Sequence, residues 1–281
     1  MGGSSRPILS HPQPRVLRQP CGMALVGRVA VVTGGAQGLG ASIARRLNRD
    51  GLRVVVADVN AAGAKELAQS LGADDAALGL EVDVTSDDSV QALMTQVQTA
   101  YGRLDVLVNN AGILKRTPSA ELSTDQWVRE LDVNLGGTMR CSRAAFDLLR
   151  TGENPSIINL GSVGSTLGLP LRLAYSTAKS GMLGLTRTLA AEWGSFGIRV
   201  NAIAPGYIDT DLMRSGFGEG VLDEQEILNR TPLRRLGSPD EIANVASFLA
   251  SSDASFVTGI LLKADGGVTI DGDFRPRSTR V

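Results

Sequence analysis

The chain has 281 residues, 43% of them hydrophobic and 20% charged, with a formal net charge of -1. That balance suits a large α/β domain with a sizeable core, gives no basic field for nucleic acid, and includes no apolar run near the roughly 18 residues of a membrane span. Two cysteines (Cys21 and Cys141, not in metal-like spacing) and a single histidine (His11) exclude a disulfide framework, a histidine-rich zinc site and a Ser-His-Asp hydrolase, so a reducing, cytoplasmic setting and no metal are expected.

Residues 1–22 are rich in Pro, Arg and Ser and contain no acid. They read as a disordered extension. The four prolines oppose the amphipathic helix of a transit peptide, and a start at Met23 would give a compact opening before the first strand. The domain is therefore expected to occupy residues 23–281.

Residues 29–32 are a short β-branched run, a buried strand. Thr33-Gly34-Gly35-Ala36-Gln37-Gly38-Leu39-Gly40 follows, then a helical stretch over 41–47. A glycine-rich turn opening a helix lets backbone approach a pyrophosphate, and the helix N-terminus favours its charge. The spacing is Gly-x-x-x-Gly-x-Gly, and by itself such a turn can simply serve positive φ. The next strand, 53–57, ends at Asp58, which lies 18 residues past Gly40. That is near the spacing of a carboxylate that binds ribose hydroxyls. No base stands at Gln37, Val59 or Asn60, so the electrostatics favour NAD over NADP.

A helix is expected over 61–71 and a third strand over 77–82, closed by Asp83 and Val84. Thr85 or Ser86 caps a helix reaching Tyr101, with Asp87 and Asp88 in its first turn. A fourth strand, 104–108, runs into Asn109-Asn110-Ala111-Gly112, where small residues let a flat ring or ribose lie against backbone. Ser123 with Gln126 starts a long helix that contains Asn134. Gly136 and Gly137 weaken that helix, so a local irregularity is expected there. It would free the backbone of Asn134 to hold a water; the plainer reading is an amide packed inside a helix.

A fifth strand, 156–160, leads to Ser162, and Tyr175 and Lys179 follow on a helix that runs to about Trp193. The spacing i, i+4 puts Tyr175 and Lys179 on one face. A free tyrosine has a pKa of roughly 10; a neighbouring ammonium lowers it and makes the pair a tuned acid/base. The same spacing also occurs on solvated helix faces. A sixth strand, 199–203, ends in Pro205-Gly206-Tyr207-Ile208-Asp209-Thr210. Residues 211–230 have a loose pattern suited to a lid. Ser238-Pro239-Asp240-Glu241 opens a helix ending near Ser251. A seventh strand, 258–264, is followed by Asp265-Gly266-Gly267 and a polar tail.

Strands alternate with helices without an internal linker. The expectation is a doubly wound parallel sheet of about seven strands, helices on both faces, a Rossmann fold. The singled-out residues then converge at the carboxyl ends of the strands, where ligands bind in such sheets.

The ordered set Thr33 to Gly40, Asp83-Val84, Asn109 to Gly112, Asn134, Ser162, Tyr175 with Lys179, Pro205-Gly206 and Asp265-Gly266-Gly267 resembles the short-chain dehydrogenase/reductase family. The resemblance covers nearly all of residues 25–267. It implies a catalytic tetrad of Asn134, Ser162, Tyr175 and Lys179: Tyr175 exchanges the alcohol proton, Ser162 holds the substrate oxygen, Lys179 lowers the tyrosine pKa and binds the nicotinamide ribose, and Asn134 positions a water. It implies NAD contacts drawn from Thr33, Gly34, Gln37, Gly38, Leu39, Gly40, Asp58, Asp83, Val84, Asn110, Ala111, Gly112, Tyr175, Lys179, Pro205, Gly206, Ile208 and Thr210, and a homo-tetramer. Substrate contacts are expected from Leu114, Lys115, Arg116, Val163, Leu169, Arg172 and Tyr207, with Lys115, Arg116 and Arg172 able to meet a carboxylate. The expected activity is NAD-dependent oxidation of a secondary alcohol, or the reverse, on a sugar, sugar acid or polyol. A 3-oxoacyl reductase is the second reading, and a dinucleotide-binding regulator without turnover the third.

Overall fold

The computed structural model describes residues 27–72, 76–218 and 220–272. The expected N-terminal extension, His11, Cys21 and the tail arginines Arg275, Arg277 and Arg280 lie outside them.

Seven strands form one parallel sheet in the order β3-β2-β1-β4-β5-β6-β7. They are β1 (Val29–Thr33), β2 (Arg53–Asp58), β3 (Ala77–Glu81), β4 (Val106–Asn109), β5 (Ser156–Leu160), β6 (Arg199–Pro205) and β7 (Leu261–Ala264). The order reverses between β1 and β4, which are direct neighbours with Val31 opposite Leu107. A crevice opens at that switch point because the connections leave toward opposite sides.

The strands are apolar on both faces, as a sheet covered twice requires. Ala30, Val32, Val54, Val56, Val106 and Val108 pack toward α1 (Gly38–Arg49), α2 (Ala61–Ser70) and α9 (Pro239–Ala250). Val29, Val31, Val55, Ala57 and Leu107 pack toward α3 (Asp87–Tyr101), α5 (Gly137–Leu149) and α6 (Leu173–Trp193). Successive residues of one strand thus serve two cores.

Three expectations about elements change. The long helix after Ser123 is α4 (Thr124–Leu131), then a π-helical turn over Asp132–Gly136, then α5. The irregularity expected near Gly136 is thus present, and it falls on Asn134. Residues 211–230, read as loose, form α7 (Asp211–Gly218) and α8 (Glu224–Arg230). These helices are too short to show a period, but Asp223 caps α8 by accepting from the Glu226 N–H. The last strand begins at Leu261 and not at 258, because Gly259 turns at φ +75°. There the approach to β6 runs through a side chain, the Val200 N–H donating to Thr258 Oγ1 at 3.0 Å.

Candidate active site

The carboxyl ends of β1, β2, β4, β5 and β6 border one cavity of about 570 Å³. Its first wall is the turn between β1 and α1. Gly38 has φ +55° and open space where a Cβ would stand. The first turns of α2, α3, α4, α8 and α9 are capped by Asn60, Ser86, Ser123, Asp223 and Ser238. At α1, Gln37 occupies the cap position without a side-chain hydrogen bond, and no acid lies in the first turn. Helix-start N–H groups left free of a cap, beside a glycine with room in front of it, fit a pyrophosphate.

The turn is held from behind. Asn110 Nδ2 donates to the carbonyls of Thr33 and Gly34 at 3.1 and 2.7 Å. Thr33 Oγ1 accepts from the N–H groups of Asn110 and Ala111. A Cβ on Gly40 would lie 2.1 Å from the Gly34 carbonyl oxygen. Thr33 and Gly40, expected as cofactor contacts, are not among the cavity-lining residues; they brace the turn. Gly34, Gln37, Gly38 and Leu39 do line it.

Asp58 closes the far end. Its carboxylate accepts from the Ala36 N–H at 3.0 Å and the Asn60 N–H at 2.9 Å, which fixes its position at the cavity edge. Asp83 stands nearby, its carboxyl held below the ordinary range chiefly by the Thr85 hydroxyl and N–H. Val84, Ala111, Gly112, Pro205, Gly206, Ile208 and Thr210 complete the expected cofactor set along the wall.

The reactive groups cluster across the cavity from Asp58. Ser162, just past β5, accepts from the Gly164 N–H at 3.0 Å, so its own O–H proton can turn to a substrate oxygen. Tyr175 sits in the first turn of α6 and Lys179 one turn later, its Nζ 5.6 Å from the Tyr175 ring centre. Burial pushes the phenol above its ordinary value; the Ser162 hydroxyl and then the Arg172 charge pull the other way. Burial also brings Lys179 down to about 8. The ammonium is turned to the Leu160 carbonyl at 2.6 Å, and the cation acting on Tyr175 here is Arg172.

Asn134 is fully buried and lines the cavity. Its side-chain amide donates to the carbonyls of Ile113 and Glu130, both at 2.9 Å, and accepts from the Ile113 N–H. The side chain thus ties the π-helical turn to the segment after β4, in line with the plainer reading of a packed amide. The Asn134 carbonyl accepts from Thr138 Oγ1 at 3.3 Å.

Of the expected substrate contacts, Leu114, Arg116, Val163, Leu169, Arg172 and Tyr207 line the cavity and Lys115 does not. Met213 and Arg129 also line it and were not singled out. Met213 belongs to α7, within the segment expected as a lid; which of its side chains turns toward the site no local pattern shows. Arg129 is one of several polar residues on the outer face of α4. Among the described residues no group of three or more His, Cys, Asp or Glu could hold a metal, and no helix is long and apolar enough to cross a membrane.

Comparison with known proteins decides the family. The family model for enoyl-(acyl carrier protein) reductase matches residues 34–269. The chain is a short-chain dehydrogenase/reductase. As such it is an oxidoreductase of alcohol and ketone groups that works with a nicotinamide cofactor, and the uncapped α1 turn fits that group. It is 42% identical to the cis-4-hydroxycyclohexanecarboxylate dehydrogenase of Sinomonas cyclohexanicum, over 88% of this chain and 99% of that one. It is 41% identical to the D-threitol dehydrogenase of Mycolicibacterium smegmatis, over 88% and 94%. The 3-oxoacyl-(acyl-carrier-protein) reductase of Pseudomonas aeruginosa is 40% identical, over 88% and 99%. Among solved structures, that of gox2181 superposes with a TM-score of 0.84 at 36% identity, over 88% of this short-chain dehydrogenase and 97% of the other chain.

Proposed function

We propose that this enzyme is an NAD-dependent dehydrogenase acting on a secondary alcohol, or its ketone, of a small polar substrate such as a sugar, sugar acid or polyol. The observation that carries the cofactor reading is Asp58. Its carboxylate is pinned by two backbone N–H groups at the cavity edge, where ribose hydroxyls can donate to it. A 2′-phosphate there would meet a like charge that cannot swing away.

Tyr175, Ser162 and Lys179 carry the chemistry in this reading. Ser162 donates its O–H to the substrate oxygen and orients it. Tyr175, as phenolate, takes the alcohol proton while the carbon gives up its hydride; in the other direction the phenol returns the proton. A bound nicotinamide supplies the hydride acceptor or donor. Lys179 holds a positive charge at the base of the site, and Asn134 fixes the backbone after β4 through Ile113. Self-association as a homo-tetramer is part of this reading by family resemblance alone.

The relatives that act on a hydroxycyclohexanecarboxylate and on a polyol favour a small alcohol. The similarity to a 3-oxoacyl reductase favours the second reading, reduction of an acyl thioester. Turnover is measured with NAD and NADP against polyols, aldonates, uronates, 4-hydroxycyclohexanecarboxylate and 3-hydroxyacyl thioesters. An NAD preference of at least tenfold on a small alcohol is expected, and Asp58→Ala should reduce it. NADP-dependent turnover of thioesters would replace this reading with the second.

A further inference from the structure

Arg172 stands at the N-cap position of α6, three residues before Tyr175, and lines the cavity. It is only 9% exposed, and its Nε is buried without a hydrogen-bond partner. Among the described residues no acid faces it: the ionisable groups around it are Arg116, Tyr207 and Tyr175. Burial and the like charge of Arg116 both disfavour its cation. Because a guanidinium keeps its charge, a buried one without a counter-ion is a cost to the fold.

Helix capping does not account for it. The N-terminus of a helix carries positive partial charge, so a cation there is unfavourable, and Arg172 makes no side-chain cap bond. The corner that holds it is itself strained. Leu171, the residue before it, has φ +65°, and its carbonyl is held by the Thr117 N–H at 2.8 Å. Strain kept beside an unpaired buried charge points to a ligand.

We propose that Arg172 anchors a substrate carboxylate, so that the alcohol oxidised at Tyr175 belongs to a hydroxy acid. The proposal rests on the alcohol-dehydrogenase reading above and narrows its substrate class. The planar fork of a guanidinium matches the two oxygens of a carboxylate. Arg116, which lies beneath α7 close to Gly216, adds charge of the same sign to that end of the cavity. Leu114, Leu169 and Met213 provide apolar wall for the carbon skeleton between the two ends.

The test is calorimetric titration of the full chain, saturated with its preferred nicotinamide cofactor. The probes are cyclohexanecarboxylate, cyclohexanecarboxamide and cyclohexyl phosphate, none of which carries an alcohol to be oxidised. The acid should bind at least tenfold tighter than the amide. Arg172→Gln should weaken the acid at least tenfold more than the amide, and Arg172→Lys, which keeps the charge and loses the fork, should fall between. Should Arg172→Gln fail to fold, a drop of threefold or more in the acid-to-amide ratio in Arg172→Lys carries the proposal. Equal binding of acid and amide, an equal loss of both in the variants, or tighter binding of the phosphate ester overturns it. An acid preference lost with Arg172 upholds it even if no alcohol is turned over with either cofactor, a result that would sink only the redox reading.

Discussion

On the β1–β4 side of the sheet the cavity wall is made largely of backbone: the uncapped turn of α1, the carbonyls of Thr33 and Gly34 held by Asn110, and glycines with nothing larger than hydrogen in the way. On the β5–β7 side it is made of side chains: Ser162, Tyr175, Lys179, Arg172 and the residues that α7 brings over them. The first wall suits a ligand part that never changes, a pyrophosphate and ribose. The second must handle a proton and tell one substrate from another, and both tasks need functional groups. Substitutions on the two sides should therefore fail in different ways.

The largest effect is expected on the side-chain wall. Tyr175→Phe removes the proton carrier and leaves the ring, so kcat should fall by about 10²- to 10⁴-fold. Cofactor affinity, measured by fluorescence titration, should change far less. The pH profile sharpens the point. Burial raises the Tyr175 phenol above its ordinary value, so the base form needed for oxidation is scarce at neutrality. Oxidation measured from about pH 6 to about pH 10 should climb with pH, while reduction, which uses the protonated phenol, should stay level through neutrality. An alcohol oxidation that is flat over this range would assign the proton to another group.

Next comes a pair of glycines on the backbone wall. Gly40→Ala puts a Cβ 2.1 Å from the Gly34 carbonyl oxygen and 2.5 Å from Asn110 Nδ2, so the turn must move. Overpacking of this kind destabilises by about 3 kcal/mol, which for a domain of this size lowers Tm by roughly 6–12 °C. Gly38→Ala has room for its Cβ but must take φ +55°, and the new methyl stands where the anion is expected. It should melt closer to the parent and lose most of its affinity for the cofactor. If the two variants lost stability and affinity in the same proportion, bracing and binding would not be separable in this turn.

The same division explains what the sequence alone conveyed. Strands end close to the residues that matter, and an all-parallel sheet brings strand ends to one edge, so the sequence by itself places Gly38, Asp58, Asn110, Ser162 and Gly206 together. Backbone requirements are written in glycines at fixed spacing, but their full purpose is not: Gly40 and Thr33 read as contacts, and the fold adds that they brace the turn. Side-chain electrostatics were the least legible. Lys179 is near Tyr175 by spacing, yet the direction of its ammonium depends on the Leu160 carbonyl, which belongs to another element. Arg172 was one of three cations, with Lys115 and Arg116, able to meet a carboxylate, and its burial with no acid against it among the described residues exists only in the folded chain. A lid over residues 211–230 was legible from the loose pattern after a strand end, but that Met213 is the side chain α7 turns into the cavity was not, since so short a helix shows no period.

The smallest effect concerns that helix. Asp209, just before α7, pairs with Arg214 at 2.7 Å, and both side chains are exposed. Water and salt screen such a pair, so it should do little to hold α7 over the site. Asp209→Asn should change kcat/KM by less than about twofold, and raising the ionic strength should leave the parent and the variant alike. The contacts that place Met213 and cover Arg116 would then be what seats the helix. A drop of tenfold or more that high salt reproduces in the parent would mean that an exposed ion pair governs closure, and that the substrate side of the site is gated by charge at its rim as well as shaped by the groups inside it.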